Sequence, residues 1–297
     1  MAVNGKRANS RSRTAKTAPA PPRRPAGVEL KLAMGTSMMI DTGNAQHQGA
    51  RPYQEDSFGC SNIIDSAVLS ERGMLAILSD GMGGLSNGKA VADRTVQASI
   101  SMFDTINPRG NISEQLQKIA YSINDSVCRQ YADGNGVSRA GATMVLAYIF
   151  KNRIYWVTVG DSRLYLLRNG NMMQMNEDHD YKNQLFREYL DGSGSLRAIE
   201  ADPQKDNLVC FIGKSNLPYV DASVKGYRIK PNDIFVLCSD GIYNAITEDT
   251  MKDILIHYGA QAASDKIVSA VMGRRLPGQD NMTVMVIKCK RKNNFSN

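Results

Sequence analysis

Three apolar runs in this sequence end the same way. LAILSDG, WVTVGDS and FVLCSDG place Asp80, Asp161 and Asp240 just past a stretch rich in β-branched or other large apolar residues. A fourth carboxylate, Asp280, precedes such a stretch in GQDNMTV, and a vicinal pair, Glu55 and Asp56, sits in RPYQEDSFG. A single Asp at a strand end is ordinarily a turn former or a helix cap. As a set they ask for more, because converging strand ends would bring together carboxylates that repel one another unless cations neutralise them. Oxygen donors without His or Cys partners suit Mg²⁺ or Mn²⁺, not zinc.

The segment LSDGMGGLSNGKA, residues 78–90, crowds four glycines into eight positions beside Asp80. A metal at Asp80 leaves room for a backbone carbonyl ligand, most simply that of Gly81, and bare glycines let the turn pass close to ions and substrate. Asn87 is placed to cap the helix that follows. A rival reading stands beside this one. GGLSNGK at 83–89 matches G-x-x-x-x-G-K between a strand and a helix and so imitates a nucleotide-binding P-loop, but Ala90 stands where that motif needs a hydroxyl.

Strands are expected at 74–80, 141–150, 153–162, 233–240 and 281–289, each bounded by Gly, Asn or Asp. Lys151-Asn152 and Asn169-Gly170 read as tight hairpin turns, so much of the pairing should be antiparallel, against the parallel sheet of a P-loop fold. Helical spacing covers 87–106 and 112–132, with Ile112, Leu116, Ile119, Ile123 and Val127 on one face of the second. Shorter helices are expected at 247–257, capped by Thr247, and at 261–272. Antiparallel hairpins with amphipathic helices make an α+β layered domain, and no internal linker divides it. The stretch 176–219 has poorer periodicity and reads as an irregular insertion or lid.

Composition bounds the rest. Of a formal charge of +7, the first thirty residues hold a surplus of six, from seven Lys and Arg against Glu29. The remainder is nearly neutral, which argues against a basic nucleic-acid groove. The Arg-, Ser- and Pro-rich residues 1–33 read as a disordered basic tail and 292–297 as a second tail, leaving a domain over 34–291. No run approaches a membrane span, and the tail has no apolar signal region. Five cysteines, an odd number without C-x-x-C spacing, read as reduced core residues of a cytoplasmic protein.

ARPYQEDSFG, LSDGMGG, GATMV, VTVGDSRLYLLRNG, LCSDGIYN and GQDNMTV occur in the order found in protein phosphatase 2C, the metal-dependent PPM class of Ser/Thr phosphatases. The chain resembles that family from about residue 36 to 289, in its bacterial form. The resemblance implies a four-layer αββα sandwich, two antiparallel sheets between helix pairs. It also implies two central Mn²⁺ or Mg²⁺ ions on Asp56, Asp80, Asp240 and Asp280, with Glu55 acting through water and Gly81 by its carbonyl. Asp161 matches the position of a third, weaker metal, and Arg51 the arginine that binds the substrate phosphate. Arg51, Asp56, Asp80 and Asp240 would then be the catalytic set.

The implied reaction is direct attack on phosphoserine or phosphothreonine by a metal-bridging water, without a phospho-enzyme. Two departures bear on it. Met82 stands where animal relatives have a histidine that protonates the leaving oxygen, and Gln54 replaces an Asn. His47, His179 and His257 are poor substitutes, His179 reading as a turn residue and His257 as a helix end. Substrate choice falls to the 176–219 lid. Phosphoproteins and a cognate Ser/Thr kinase are the expected partners of a monomer. A catalytically silent phosphoprotein-binding module is the alternative, disfavoured because every expected metal ligand is present.

Overall fold

Apolar runs without polar alternation fold as strands covered on both faces, and that governs the architecture. A computed structural model describes residues 32–34, 38–61, 66–82, 87–131 and 140–291. Successive side chains of Met74–Ser79 (β4) illustrate the pattern: Met74, Ala76 and Leu78 point into one core, Leu75 and Ile77 into another. Met144–Phe150 (β5), Ile234–Cys238 (β11) and Met282–Arg291 (β12) alternate in the same way.

One sheet runs β1-β2-β12-β11-β7-β8 and adds Leu32–Met34 (β1), Met38–His47 (β2), Arg163–Arg168 (β7) and Asn171–Gln174 (β8). The other runs β10-β6-β5-β4-β3, with Ser57–Cys60 (β3), Arg153–Val159 (β6) and Tyr227–Arg228 (β10), while Asp221–Ala222 (β9) pairs β6. Every pairing is antiparallel. Ile40, Leu78, Val145, Phe235, Leu237 and Met285 fill the space between the sheets. Gly88–Ser101 (α2) and Ile112–Tyr131 (α3) cover one outer face. Glu248–His257 (α7) and Ala260–Gly273 (α8) cover the other, together with the single turn Asp240–Tyr243 (α6). Ser66–Arg72 (α1) leads into β4. This is the α+β, four-layer αββα sandwich that the sequence and its resemblance implied.

Both expected hairpin turns form. Asn169 and Gly170 take φ of 53° and 77°, the left-handed pair that a two-residue turn uses. Thr247 caps α7 by accepting from Thr250 N. Four expectations need correction. The 176–219 insertion is irregular only in part: Asp180 and Ser195 cap Tyr181–Leu190 (α4) and Leu196–Ala201 (α5), and both helices are short and lie largely at the surface, so their apolar spacing is weak. Asn87 begins α2 at φ 69° without a side-chain cap bond. The expected disordered tail overlaps β1, whose Leu32 and Ala33 pair with Ile40 and Met39; its first 31 residues, and the expected tail at 292–297, lie outside the described residues. His179 is no turn residue but fully buried. Among the described residues no helix is long and apolar enough to cross a membrane, and all five cysteines are free.

Candidate active site

The register of both sheets brings the chosen carboxylates to one end of the sandwich. Ser57 at the start of β3 pairs with Ser79 at the end of β4, so Asp56 and Asp80 are neighbours. Cys238 at the end of β11 pairs with Val284 near the start of β12, and Met282 with His47, which gathers Asp240, Asp280 and the loop bearing Arg51 and Glu55. Met144 pairs with Val159, placing Asp161 alongside. Arg51, Glu55, Asp80, Gly81, Asp161, Asp240 and Asp280 line one cleft of about 490 Å³, with Met82, Asp206 and Leu208 on its walls.

Asp56 lies beneath, fully buried. Its Oδ2 accepts from Thr283 Oγ1 at 2.6 Å and Ser239 Oγ at 2.9 Å, while its Oδ1 is buried without a partner. Gln54, the departure from the family pattern, accepts from Asp56 N at 2.9 Å and so keeps the turn closed. Asp80 is fixed by its backbone: its N–H donates to Thr143 Oγ1 at 2.9 Å and its carbonyl accepts from Thr143 N at 2.8 Å. A Cβ on Gly81 would lie 2.7 Å from the Glu55 carbonyl and from Gly88, so a side chain there would collide with backbone on two sides. The bare backbone beside Asp80 is a packing requirement of the cleft floor. Gly83, Gly84 and Ser86 lie outside the described residues.

Asn281 staples the arginine loop to β12. Its Oδ1 accepts from Glu55 N at 2.7 Å and its Nδ2 donates to Gln48 O and Tyr53 O at 2.8 and 2.9 Å. Arg51 donates to Asp280 Oδ2. Tyr243, three residues past Asp240, donates to the Asp161 carbonyl at 3.1 Å, and Arg163 lies 3.6 Å over its ring. Ser239, Asn281 and Thr283 fall inside motifs that carry a cleft acid and Thr143 inside GATMV, which carries none, and none of the four was read as part of the site. For Ser239 and Asn281 the signal was a small hydroxyl or amide next to a cleft carboxylate, whereas Thr143 and Thr283 meet Asp80 and Asp56 only through the fold.

Crowding shows in the acidities. Burial, then Asp161, Asp280 and Asp56, push Asp240 up to about 7. Burial lifts Asp56 to about 6, against the pull of the Thr283 and Ser239 hydroxyls. Asp161 is held at about 6 by burial and then by Asp178. Asp80 lies well above the carboxylate range through burial and then Asp56, Asp240, Asp161 and Asp280. A positive charge among these groups would relieve all of them at once.

Among the described residues no three acidic, His or Cys side chains close on one point as a complete ligand set. Mg²⁺-type ions do not require one, since they keep several waters and take one or two carboxylates each. The all-oxygen donors and the unpartnered Asp56 Oδ1 fit such ions. The P-loop reading does not fit. β4 pairs antiparallel with β3 and β5, and Lys89 donates to Asp93 and Ser57 at 2.7 and 3.1 Å. Of the histidines, His47 accepts from Gly49 N at the end of β2 and His257 ends α7.

A profile of the family Protein phosphatase 2C matches residues 40–188, half of the chain. The serine/threonine phosphatase stp of Listeria welshimeri is 28% identical over 261 residues, 86% of this chain and 96% of that protein. The serine/threonine protein phosphatase PstP of Mycobacterium tuberculosis is 28% identical over 227 residues, 76% of this chain and 42% of that one. Among solved structures, the Mycobacterium tuberculosis phosphatase PstP/Ppp superposes with a TM-score of 0.68 at 22% identity, over 84% of this chain and 98% of that one. A PstP catalytic domain in complex with two manganese ions superposes with a TM-score of 0.65, also at 22% identity, over 85% of this chain and 99% of that one. At those identities the superpositions show a shared fold.

Proposed function

The chain belongs to the protein phosphatase 2C family, and on that premise we propose that it is a protein-serine/threonine phosphatase whose acidic cleft works with Mn²⁺ or Mg²⁺. The observation that carries this is Asp56: a buried carboxylate with an unpartnered Oδ1 below a cleft lined by five more aspartates. Asp56, Asp80, Asp240 and Asp280 would hold the two central ions, with Glu55 through water and the Gly81 carbonyl, and Asp161 a third. When bound, such ions make a coordinated water acidic and neutralise phosphate charge.

The chain's own groups do the rest. Arg51, at the mouth, presents a guanidinium fork that can grip two phosphate oxygens, and its pair with Asp280 holds it there before substrate arrives. Thr143 and Asn281 hold the Asp80 and Glu55 backbones, so these groups need no reordering when substrate binds. Met82 has no proton to give, and His179 is fully buried, so the proton for the leaving Ser or Thr oxygen comes from water in the cleft. On this reading the partners are phosphoproteins and the kinase that modifies them, and the free cysteines suit a reducing cytoplasm.

The test is hydrolysis of a phosphothreonine peptide with Mn²⁺, with EDTA, and by Asp240→Asn. Turnover that needs both metal and Asp240 is the expected result. Turnover that persists in EDTA, or none in any arm while Mn²⁺ binds, overturns it.

A further inference from the structure

His179 is buried and serves no step above, yet it joins two parts of the cleft. Its backbone N–H donates to the Gly160 carbonyl at 3.0 Å, and its ring Nδ1 accepts from Gly160 N at 3.2 Å. Both polar groups of the residue before Asp161 are therefore held by one histidine. Gly160 has no slack on its other side: at φ +99°, a Cβ would lie 2.7 Å from Thr143, the residue that fixes Asp80.

The carbonyl of His179 points the other way, accepting from Val209 N at 2.9 Å. Val209 ends the segment whose Asp206, Asn207 and Leu208 line the cleft. The contact continues as Tyr181 N donates to Asn207 O at 2.9 Å and Lys182 N to Lys205 O at 2.7 Å. Tyr219 packs edge-on against the imidazole, ring centroids 4.6 Å apart. The acceptor role of Nδ1 puts the proton of a neutral ring on Nε2, which is buried without a partner. A buried N–H with no acceptor costs free energy, and a leucine would fill the space without it. The bond to Gly160 is what the ring supplies that an apolar side chain cannot.

We propose that His179 is a positioning residue that couples the 202–209 wall of the cleft to Asp161, so that filling the site at Asp161 and ordering that wall occur together. This rests on the metal-dependent reading of the cleft. The coupling is reciprocal, so a change at either end must appear at the other.

Hydrogen exchange of the full wild-type chain across a Mn²⁺ titration tests it directly. Segments 157–163 and 202–209 are expected to gain protection at the same Mn²⁺ concentration. In His179→Leu the Mn²⁺ needed to protect 157–163 is expected to rise about 10–100-fold, as for loss of an outer-shell partner, with 202–209 keeping its backbone bonds to 179–182 but no longer gaining protection in step. His179→Asn, whose carbonyl can accept from Gly160 N, is expected to restore the joint response. Should the Leu variant not fold, the wild-type titration still decides. Protection of 157–163 without 202–209 overturns the coupling, as does a Leu variant that melts lower but titrates like wild type. Asp161→Asn separates the two layers: if it leaves the Mn²⁺ response unchanged, the assignment of Asp161 fails, whatever His179 does.

Discussion

Arg51 donates through Nη2 to Asp280 Oδ2 at 2.6 Å, and both side chains remain open to water, 47% and 35% exposed. An ion pair so exposed contributes little to stability. Its use is placement: the guanidinium waits at the rim of the cleft, and a phosphate can displace the carboxylate at small cost. Arg51→Ala is therefore expected to leave the melting temperature within a degree or two and to lower kcat/KM on a phosphopeptide. The loss of a charge-assisted contact of about 1.5–3 kcal/mol corresponds to roughly 10–150-fold. Arg51→Lys should recover only part, because an ammonium lacks the planar fork. Steady-state kinetics on the three proteins check this, and equal kcat/KM values would remove Arg51 from the phosphate site.

Asp240 makes a cleaner test of the metals than of the fold. Replacing it by Asn keeps the volume and removes a carboxylate whose pKa burial and its neighbours push up to about 7. Without metal the variant should melt at or above the wild-type temperature, since one repelling charge is gone. With Mn²⁺ the order should invert: ligand binding at 100 times its Kd stabilises wild type by about 2.7 kcal/mol, and the variant gains much less. Thermal melts in EDTA and in Mn²⁺, beside the peptide assay, give both readings. An equal Mn²⁺ shift in the two proteins would exclude Asp240 as a ligand.

The acidic cluster also fixes how stability depends on pH. Asp56 and Asp161 titrate near 6 and Asp240 near 7 in the folded chain, above the ordinary aspartate value of 3.8. Groups raised in this way bind protons more tightly when folded, so their contribution is fully present below the unfolded value and is lost as pH rises through 6 to 7. His179, lowered to about 4 by burial and then by Arg187, acts in the opposite sense between 4 and 6.5, but it is one group against several. In EDTA the protein is expected to lose stability from about pH 5 to about pH 7.5, and saturating Mn²⁺ to reverse that slope, because cations bind the ionised carboxylates. Urea midpoints at the two pH values, with and without Mn²⁺, decide it. A metal-free midpoint that rises with pH would contradict the crowded site.

How much of this could be read beforehand depended on pattern strength. The strands at 74–79, 144–150, 234–238 and 282–291 were legible because cores on both sides demand unbroken apolar runs. β2, in MMIDTGNAQH, was not, since its Asp, Asn and Gln hide a strand that pairs ten residues of β12. The cleft acids stood out as charges ending apolar runs. Asn281 did not, because an Asn beside an Asp looks like turn chemistry until three loop groups are seen to bond to it. His179 misled for a similar reason: polar neighbours in EDHD implied exposure, and only tertiary packing under Tyr219 buried it.

Thr283 carries the last prediction. Its hydroxyl donates to Asp56 Oδ2 at 2.6 Å and accepts from Gln46 Nε2 at 3.0 Å, and its backbone N–H donates to Ser239 Oγ, which itself donates to Asp56. Thr283→Val preserves shape and removes both side-chain bonds, leaving a buried carboxylate with one hydroxyl. The cost at about pH 7.5 in EDTA should be about 1–3 kcal/mol, the range for stranding a buried polar group. Thr283→Ser should recover most of it. The cost should shrink near pH 5, where Asp56 is largely protonated and its neutral form is cheaper to bury. Adding Ser239→Ala should give a non-additive double mutant, because both hydroxyls serve one oxygen. Chemical denaturation of wild type, the two Thr283 variants, Ser239→Ala and the double mutant at two pH values measures all of this. A Thr283→Val penalty that is the same at both pH values would assign the loss to packing, and would separate Thr283 from the ionisation of Asp56.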